Sequence, residues 1–153
     1  MLSCAIKAPE ISLPDQNGET FTLSENGGKT LVYFYSKDNT SGCTKQAQGF
    51  AELNERFKEL GVKIVGISKD SVQSHAKFAQ KYELPFTLLA DPGLESLQAY
   101  DVWHERTRCG KTSMATIRST YLIDENGMIE KVWADVKADK NPCEVLAYLE
   151  GKQ

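Results

Sequence analysis

The sequence contains no apolar run approaching the roughly 18 residues of a membrane-spanning helix, so we expect no membrane segment. It also has little excess charge. The 153 residues carry a net charge of −3, with a pI near 5.5, which gives no electrostatic reason to expect nucleic acid or an anionic membrane as a partner. The first residues lack a basic stretch followed by an apolar core, so we predict no intact signal peptide and expect a cytoplasmic location.

Histidines and paired cysteines are scarce as well. The chain has two histidines, and its four cysteines form neither a CxxC pair nor a paired zinc-ligand spacing: Cys4, Cys43, Cys109 and Cys143. These absences argue against a CxxC electron carrier and against the common zinc folds, and we expect neither a metal nor a bound cofactor. Thiols scattered in this way are usually buried and unreactive in a reducing cytosol.

What the first two thirds of the chain does contain is an alternation of strand-like and helix-like segments. Runs rich in β-branched and aromatic residues predict buried strands at 30–35, 62–68 and 85–91. Apolar residues spaced three and four apart predict a helix from Cys43 to about Gly61. Two further helices are predicted at 71–82, with Ser71 as its cap, and at 94–100.

The last third is less regular. Segment 103–113 has no clear period and is predicted to be a loop. Residues 119–134 predict two strands around the turn pair Asn126-Gly127, and Asn141-Pro142 opens a final helix. Near the start, FTLSENGG with its Gly27-Gly28 turn is expected to contribute a small hairpin.

This order of elements predicts the fold class. Strands that alternate with helices favour parallel crossovers, and the hairpin after residue 119 adds an antiparallel pair. We therefore predict one α/β domain over residues 1–153, with a thioredoxin-like fold: a central mixed sheet flanked by helices, with an N-terminal β-hairpin.

Cys43 has the most informative position of the four cysteines. It lies where a predicted central strand ends and a helix begins, and in open α/β sheets sites form beyond the carboxyl ends of strands. A helix N-terminus offers unpaired N–H groups and a positive dipole end, which lower a cysteine pKa from about 8.5 and favour the nucleophilic thiolate. Cys43 also shares the helical face of Ala47 and Phe50, so a small core residue is the alternative interpretation. Cys143 is expected to be an ordinary cysteine.

The segment VYFYSKDNTSGCTKQAQGF resembles the active-site motif of the peroxiredoxins, which are thiol peroxidases with a thioredoxin fold. It is most similar to the bacterioferritin comigratory protein or peroxiredoxin Q subfamily, whose pattern runs roughly YFYPKDNTPGCTxEACxF. The similarity covers almost the whole chain, through APEISLPDQNGETFTLSE, VKIVGISKDS, LPFTLLAD and IRSTYLIDENGMIEKVW. This ordered set is far more specific than a single GCT would be.

The resemblance implies a role for each matching residue. Cys43 would be the nucleophile that attacks hydrogen peroxide or an organic hydroperoxide and becomes a sulfenic acid. Thr40 would hydrogen-bond to the peroxide, and Arg118 would reach the same pocket from a distant strand. The backbone N–H groups of Gly42 and Cys43 would complete the peroxide site. The implied reductants are thioredoxin, glutaredoxin or a low-molecular-weight thiol.

Three residues depart from the subfamily pattern. Ser36 and Ser41 replace prolines, and the loss of these rigid rings is expected to loosen the pocket and lower the peroxidase rate. Gln48 occupies the position where many members carry a resolving cysteine, five residues after the nucleophile. A sulfenic acid on Cys43 must then be reduced by another thiol.

The source of that thiol is left open by the sequence. Cys109, in the predicted loop, is the best internal candidate, Cys4 and Cys143 are weaker ones, and a small external thiol or thioredoxin is the alternative.

A monomer and a homodimer both fit the sequence. Two other functions remain: a peroxide sensor or redox-interaction protein that passes its oxidation to a partner, and a scaffold with an inert Cys43. His75, among polar neighbours, is expected to face solvent.

Overall fold

The structure, a computed structural model, describes residues 1–151. Its elements follow in chain order: β1 (Ser12–Pro14), β2 (Thr20–Thr22), a short 3-10 helix (Leu23–Glu25), β3 (Lys29–Phe34), α1 (Ser41–Glu59), β4 (Val62–Ser68), α2 (Val72–Lys81), β5 (Thr87–Ala90), α3 (Glu95–Ala99), β6 (Trp103–Arg108), β7 (Lys111–Thr116), β8 (Ser119–Ile123), β9 (Ile129–Trp133) and α4 (Asn141–Gly151). No helix among the described residues is both long enough and apolar enough to cross a bilayer.

A five-stranded mixed sheet forms the centre, with strand order β5-β4-β3-β8-β9. β3, β4 and β5 pair in parallel, as expected for strands joined by helical crossovers, whereas β8 pairs antiparallel with both β3 and β9. The predicted mixed sheet flanked by helices is therefore confirmed. The predicted β4 boundaries match the structure residue for residue.

Both faces of this sheet are buried, which explains why its strands are almost continuously apolar. Along β3, Leu31 and Tyr33 point to the core shared with α1, α2 and α4. Val32 and Phe34 point to the opposite core, which is covered by α3 and by residues near the N-terminus. The central strand β3 is thus fixed from both sides, and so is the point where it ends.

Segment 103–113, predicted to be a loop, is instead most of a second hairpin made of β6 and β7. Its turn is formed by Cys109 and Gly110, both with positive φ, 52° and 77°. Positive φ at two consecutive turn residues suits a tight hairpin, but the usual Asn-Gly or Asp-Gly signal is missing. Both strands are also largely exposed, so neither face has the apolar alternation that reveals a strand in a sequence.

The predicted N-terminal hairpin is confirmed as β1 and β2, but its turn was placed wrongly. The chain reverses at residues 15–19, where Gly18 has a φ of 82° and Asp15 accepts hydrogen bonds from the backbone of Asn17 and Glu19. Gly27 and Gly28 instead lead into β3.

Gly66 shows how tightly the core beneath the site is packed. It lies opposite Tyr33 in the β3–β4 ladder, and a Cβ at this position would lie 2.8 Å from the Tyr33 ring. That ring stacks on Phe50 of α1, with 4.7 Å between centroids. The absence of a side chain at residue 66 therefore lets Tyr33 fill the space between the sheet and α1.

We predict that Gly66→Ala destabilises the fold by about 1–3 kcal/mol, because the added methyl group must displace the Tyr33 ring. Urea denaturation followed by circular dichroism measures the loss. Gly27→Ala is the matched control, since a Cβ there meets nothing within 4 Å. Equal unfolding free energies for the two variants would contradict this account of the packing.

Candidate active site

Cys43 lies in the first turn of α1, just beyond the carboxyl end of β3, as the sequence predicts. Its side chain is buried, with an exposed fraction of 1%. It lies on the same helical face as the buried residues Ala47 and Phe50. Cys43 is therefore both a residue of the core and the residue at the helix N-terminus, so burial alone does not distinguish the two interpretations. The polar contacts of its sulfur do.

Two side chains lie at hydrogen-bonding distance from that sulfur. Arg118 donates a hydrogen bond from Nη2 to Sγ at 3.3 Å, and the hydroxyl of Ser36 lies 3.4 Å from the same atom. The backbone of Lys37 and the side chain of Thr40 also lower the pKa of this thiol. A buried apolar cysteine needs no such partners, whereas a thiolate does.

These contacts shift the ionisation of Cys43. Burial of the thiol raises its pKa, since it penalises the charged form. The opposing contributions outweigh burial, so the pKa of Cys43 lies below its ordinary value. They come, in decreasing order, from the Lys37 backbone, the Ser36 side chain, the Thr40 side chain and the charge of Arg118. The site therefore favours the reactive thiolate form.

Arg118 is itself held by a chain of side-chain hydrogen bonds. Its Nη1 donates to Oε1 of Gln46 at 2.7 Å, and Nε2 of Gln46 donates to Oδ1 of Asn141 at 3.1 Å. The hydroxyl of Thr120 donates to the same Asn141 oxygen at 2.7 Å. This chain joins α1, α4 and β8, so three elements together aim the guanidinium at the sulfur.

Gly42 leaves room for that guanidinium. A Cβ at residue 42 would lie 3.3 Å from Nη2 of Arg118, closer than side-chain carbons normally come. Thr40 precedes α1 as its N-cap residue, but its hydroxyl donates to the Lys37 carbonyl oxygen at 2.9 Å rather than capping the helix. The structure thus brings together Cys43, Thr40, Gly42 and Arg118, the residues singled out in the sequence.

The other cysteines lie elsewhere. Cys109 is exposed in the turn between β6 and β7, and it is not among the described residues that contact the Cys43 sulfur. Cys4 and Cys143 are exposed too, and all four thiols are free. Three of the four cysteines are therefore exposed, whereas scattered thiols were expected to be buried.

Two contact residues were missed as members of the site. Ser36 was expected only to loosen the pocket, yet its hydroxyl approaches the sulfur, which a proline side chain could not do by hydrogen bonding. Gln46 received no role, although it lies three residues after Cys43 and so on the same helical face. That spacing is the signal that could have identified it.

The prediction that His75 faces solvent is wrong. The side chain is fully buried, and it contacts the Asp38 carboxylate and a backbone carbonyl group. Among its sequence neighbours, Gln73, Ala76 and Lys77 are exposed, whereas Ser74 donates to the same Asp38 carboxylate. A single buried polar residue does not change the helical pattern enough to be read from it.

A groove of about 400 Å³ is lined by Ser36 and Arg118, the two residues whose side chains contact the Cys43 sulfur. Arg106 and Arg108 of the β6–β7 hairpin line the same groove. Asp135, the acidic residue among those that line it, pairs with Arg106 at 3.0 Å. The groove thus carries a positive charge, whereas the whole chain carries a net charge of −3.

The chain is similar to proteins of a known family along most of its length. The model of the AhpC/TSA family matches residues 5–132. Peroxiredoxin Bcp of Bacillus subtilis is 44% identical over 144 residues, which cover 94% of this chain and 92% of that protein. The chloroplastic peroxiredoxin Q of Sedum lineare is 40% identical, over 93% of this chain and 75% of the plant protein.

Solved structures show the same similarity. The bacterioferritin comigratory protein of Xanthomonas campestris, which was studied for its alkyl peroxide reduction activity, superposes with a TM-score of 0.91. The two sequences are 32% identical, and the match covers 98% of this chain and 99% of the other. The sequence resemblance to the subfamily and the predicted fold class are both confirmed.

We predict that Ser36→Ala raises the pKa of Cys43, because it removes a hydroxyl that supports the thiolate. The pH midpoint for alkylation of Cys43 by iodoacetamide should rise by about one unit, as expected for the loss of one hydrogen bond to a charged group. The rate is measured against pH in a chain whose three exposed cysteines are serine. Ser36→Thr, which keeps a hydroxyl, should stay close to the parent.

Ser113→Ala is the matched control, since Ser113 lines the same groove without contacting the sulfur. The account of Ser36 is contradicted if the alkylation curve of Ser36→Ala coincides with that of Ser113→Ala.

Proposed function

Because this chain belongs to the AhpC/TSA family, and is a thiol peroxidase of the peroxiredoxin kind, we propose that Cys43 is the residue that peroxide oxidises. The supporting observation is the Arg118 guanidinium 3.3 Å from a buried sulfur at a helix N-terminus. The Cys43 thiolate attacks the terminal peroxide oxygen, a sulfur–oxygen bond forms and the oxygen–oxygen bond breaks. The products are a sulfenic acid and, after the leaving oxygen takes up a proton, water or an alcohol.

The neighbouring groups would stabilise this step. A fixed guanidinium beside the sulfur favours thiolate over thiol, and it also stabilises the negative charge that develops on the leaving oxygen. The N–H groups of Gly42 and Cys43 lie in the first turn of α1, where backbone donors lack intrahelical partners. With the Thr40 hydroxyl, they would bind the two peroxide oxygens. Organic hydroperoxides and hydrogen peroxide are the proposed substrates.

The second half of the cycle is the reduction of the sulfenic acid. Gln48 is exposed where many relatives of this subfamily carry a resolving cysteine, so a thiol from outside the helix is required. Thioredoxin dependence is typical of the family, and glutaredoxin or a small thiol would serve the same purpose. The positively charged groove favours a small thiol that bears a carboxylate. Cys109 is the internal alternative, on the hairpin that forms part of the groove.

The same observation at Gln48 supports a second candidate function. Without a resolving cysteine at position 48, the oxidised enzyme persists until another thiol arrives, which suits a peroxide sensor or redox-interaction protein. A sensor would show rapid first oxidation and slow turnover with every general reductant.

The need for a thiol reductant, together with four free cysteines, is most compatible with the cytoplasm, and the chain would act there as a monomer or homodimer.

We predict that one equivalent of hydrogen peroxide oxidises Cys43 rapidly and selectively. Fully reduced protein is mixed with peroxide in a stopped-flow instrument, and peptide masses then locate the oxidised residue. Cys43→Ser should abolish the fast phase, and Arg118→Ala should slow it by roughly 100-fold or more, since it removes charge stabilisation at the reacting atoms. Arg108→Ala, a groove arginine away from the sulfur, is the matched control. Slow oxidation spread over all four cysteines would overturn the assignment.

The product of that reaction distinguishes the two routes of reduction. A sulfenic acid that persists until an external thiol is added would support external reduction, and Cys109→Ser should then leave turnover unchanged. A Cys43–Cys109 disulfide, lost in Cys109→Ser, would show that Cys109 is the resolving residue.

A further inference from the structure

The loop at 36–40 supplies three of the four groups that lower the pKa of Cys43, and one of them, the Ser36 hydroxyl, lies 3.4 Å from the sulfur. They are the Ser36 hydroxyl, the backbone of Lys37 and the side chain of Thr40. This loop joins β3 to α1 and lies outside both elements. Its conformation is also demanding, since Asn39 has a φ of 65°. The position of these three groups therefore depends on what holds the loop.

Asp38, in the middle of the loop, is its anchor. The side chain is buried, and Oδ1 accepts a hydrogen bond from the Tyr35 hydroxyl at 2.6 Å. Oδ2 accepts one from the Ser74 hydroxyl at 2.8 Å and lies 2.7 Å from Nδ1 of His75. The Asp38 backbone N–H donates to Asp70 at 3.0 Å. These contacts attach the loop to α2 and to the segment after β4.

The surroundings of His75 determine where its protons lie. Nδ1 faces the Asp38 carboxylate, and Nε2 lies 2.9 Å from the carbonyl oxygen of Leu89. Both partners are acceptors, so each nitrogen must supply an N–H, and a ring with two N–H groups is a cation. The nearby Tyr35 hydroxyl donates its proton to the Asp38 carboxylate, so it does not donate to Nδ1 of His75. A buried carboxylate thus faces a buried imidazolium.

The ionisation of Asp38 agrees with this arrangement. Burial raises the pKa of Asp38, but the hydrogen bond and charge of His75, with the Tyr35 and Ser74 hydroxyls, lower it below its ordinary value. Asp38, Asp70 and His75 also have the close spacing of a metal site. Because each His75 nitrogen already faces an oxygen acceptor, neither offers a lone pair to a metal, and the contacts favour a proton.

We propose that the Asp38–His75 ion pair is a positioning pair for the peroxidase reaction, which holds the 36–40 loop so that it contacts the Cys43 sulfur. The inference rests on the proposed role of Cys43. His75 does not touch the sulfur; it acts through Asp38, and Asp38 through Ser36, Lys37 and Thr40. Loss of the pair releases the loop, weakens its hydrogen bonds to the thiolate and leaves the Arg118 contact in place.

The first test is His75→Leu, which keeps a similar volume and removes both N–H groups. The pKa of Cys43 should rise, and single-turnover oxidation at pH 7 should fall roughly 10- to 100-fold, the range expected when reacting groups are misplaced by about an ångström. Ser74→Ala, which removes one donor to Asp38, should shift both quantities in the same direction by less. Ser74→Ala decides the matter if His75→Leu does not fold.

A matched control separates positioning from stability. Val65→Ala creates a cavity on the opposite face of the sheet, so it should lower stability without changing the Cys43 pKa or oxidation rate. The double variant Asp38→Asn with His75→Gln replaces the ion pair by an uncharged hydrogen-bonded pair, and it should recover part of the rate that Asp38→Asn loses alone.

Nitrogen-15 NMR of the folded protein tests the charge directly. Both His75 ring nitrogens should carry a proton, and a single protonated nitrogen on His75 would overturn the ion pair. The positioning role is overturned if wild type oxidises rapidly at Cys43 and His75→Leu matches it, or if Val65→Ala slows oxidation equally. If wild type itself is not selectively oxidised at Cys43, the proposed function fails, and the positioning role with it.

Discussion

The contact between the Arg118 guanidinium and the buried sulfur of Cys43 is the interaction on which the rest of the site depends. A buried thiol would ordinarily stay protonated, because burial penalises the charged form. The sulfur is instead placed where a cation, a helix N-terminus and loop hydrogen bonds all favour a thiolate. Burial removes water from the thiolate, which makes ionisation less favourable. It also strengthens the interactions of the thiolate with the cation and the hydrogen-bond donors, and these offset the loss of water.

Two separate supports meet at this sulfur. On one side, Gln46 and Asn141 hold Arg118 through a chain that joins α1 and α4. On the other, the 36–40 loop is anchored through Asp38 to α2. The sheet fixes the distance between these supports, because β3 leads into the loop and β8 follows Arg118 directly and pairs with β3. The general fold therefore sets the geometry of the site.

The features that the sequence predicted correctly share a physical origin. β3 and β4 are buried on both faces, and α1 has a clear apolar face, so burial left a pattern that could be read. The position of Cys43 followed from these elements. The resemblance, not the pattern, identified Arg118 and Thr40, since nothing local indicates that residue 118 reaches residue 43.

The features that were missed leave weaker patterns. The β6–β7 hairpin is largely exposed and has Cys109 in its turn, so neither alternation nor turn chemistry marked it. His75 is buried because of partners distant in sequence, Asp38 and Leu89, which no helical period records. The sequence analysis considered only the loss of a proline at residue 36. The contact between the Ser36 hydroxyl and the Cys43 sulfur follows from the position of the loop beside the sulfur, which the sequence does not reveal.

The measurement that tests the central claim most directly is a thiolate titration of Cys43. In a chain whose other three cysteines are serine, the ultraviolet absorbance of the thiolate is followed against pH, first in the folded protein and then in denaturant. The account predicts a folded midpoint below the value of about 8.5 that is typical of a free cysteine, with the midpoint returning to that value on unfolding. A folded midpoint at or above the unfolded one would show that burial dominates and that the site does not hold a thiolate.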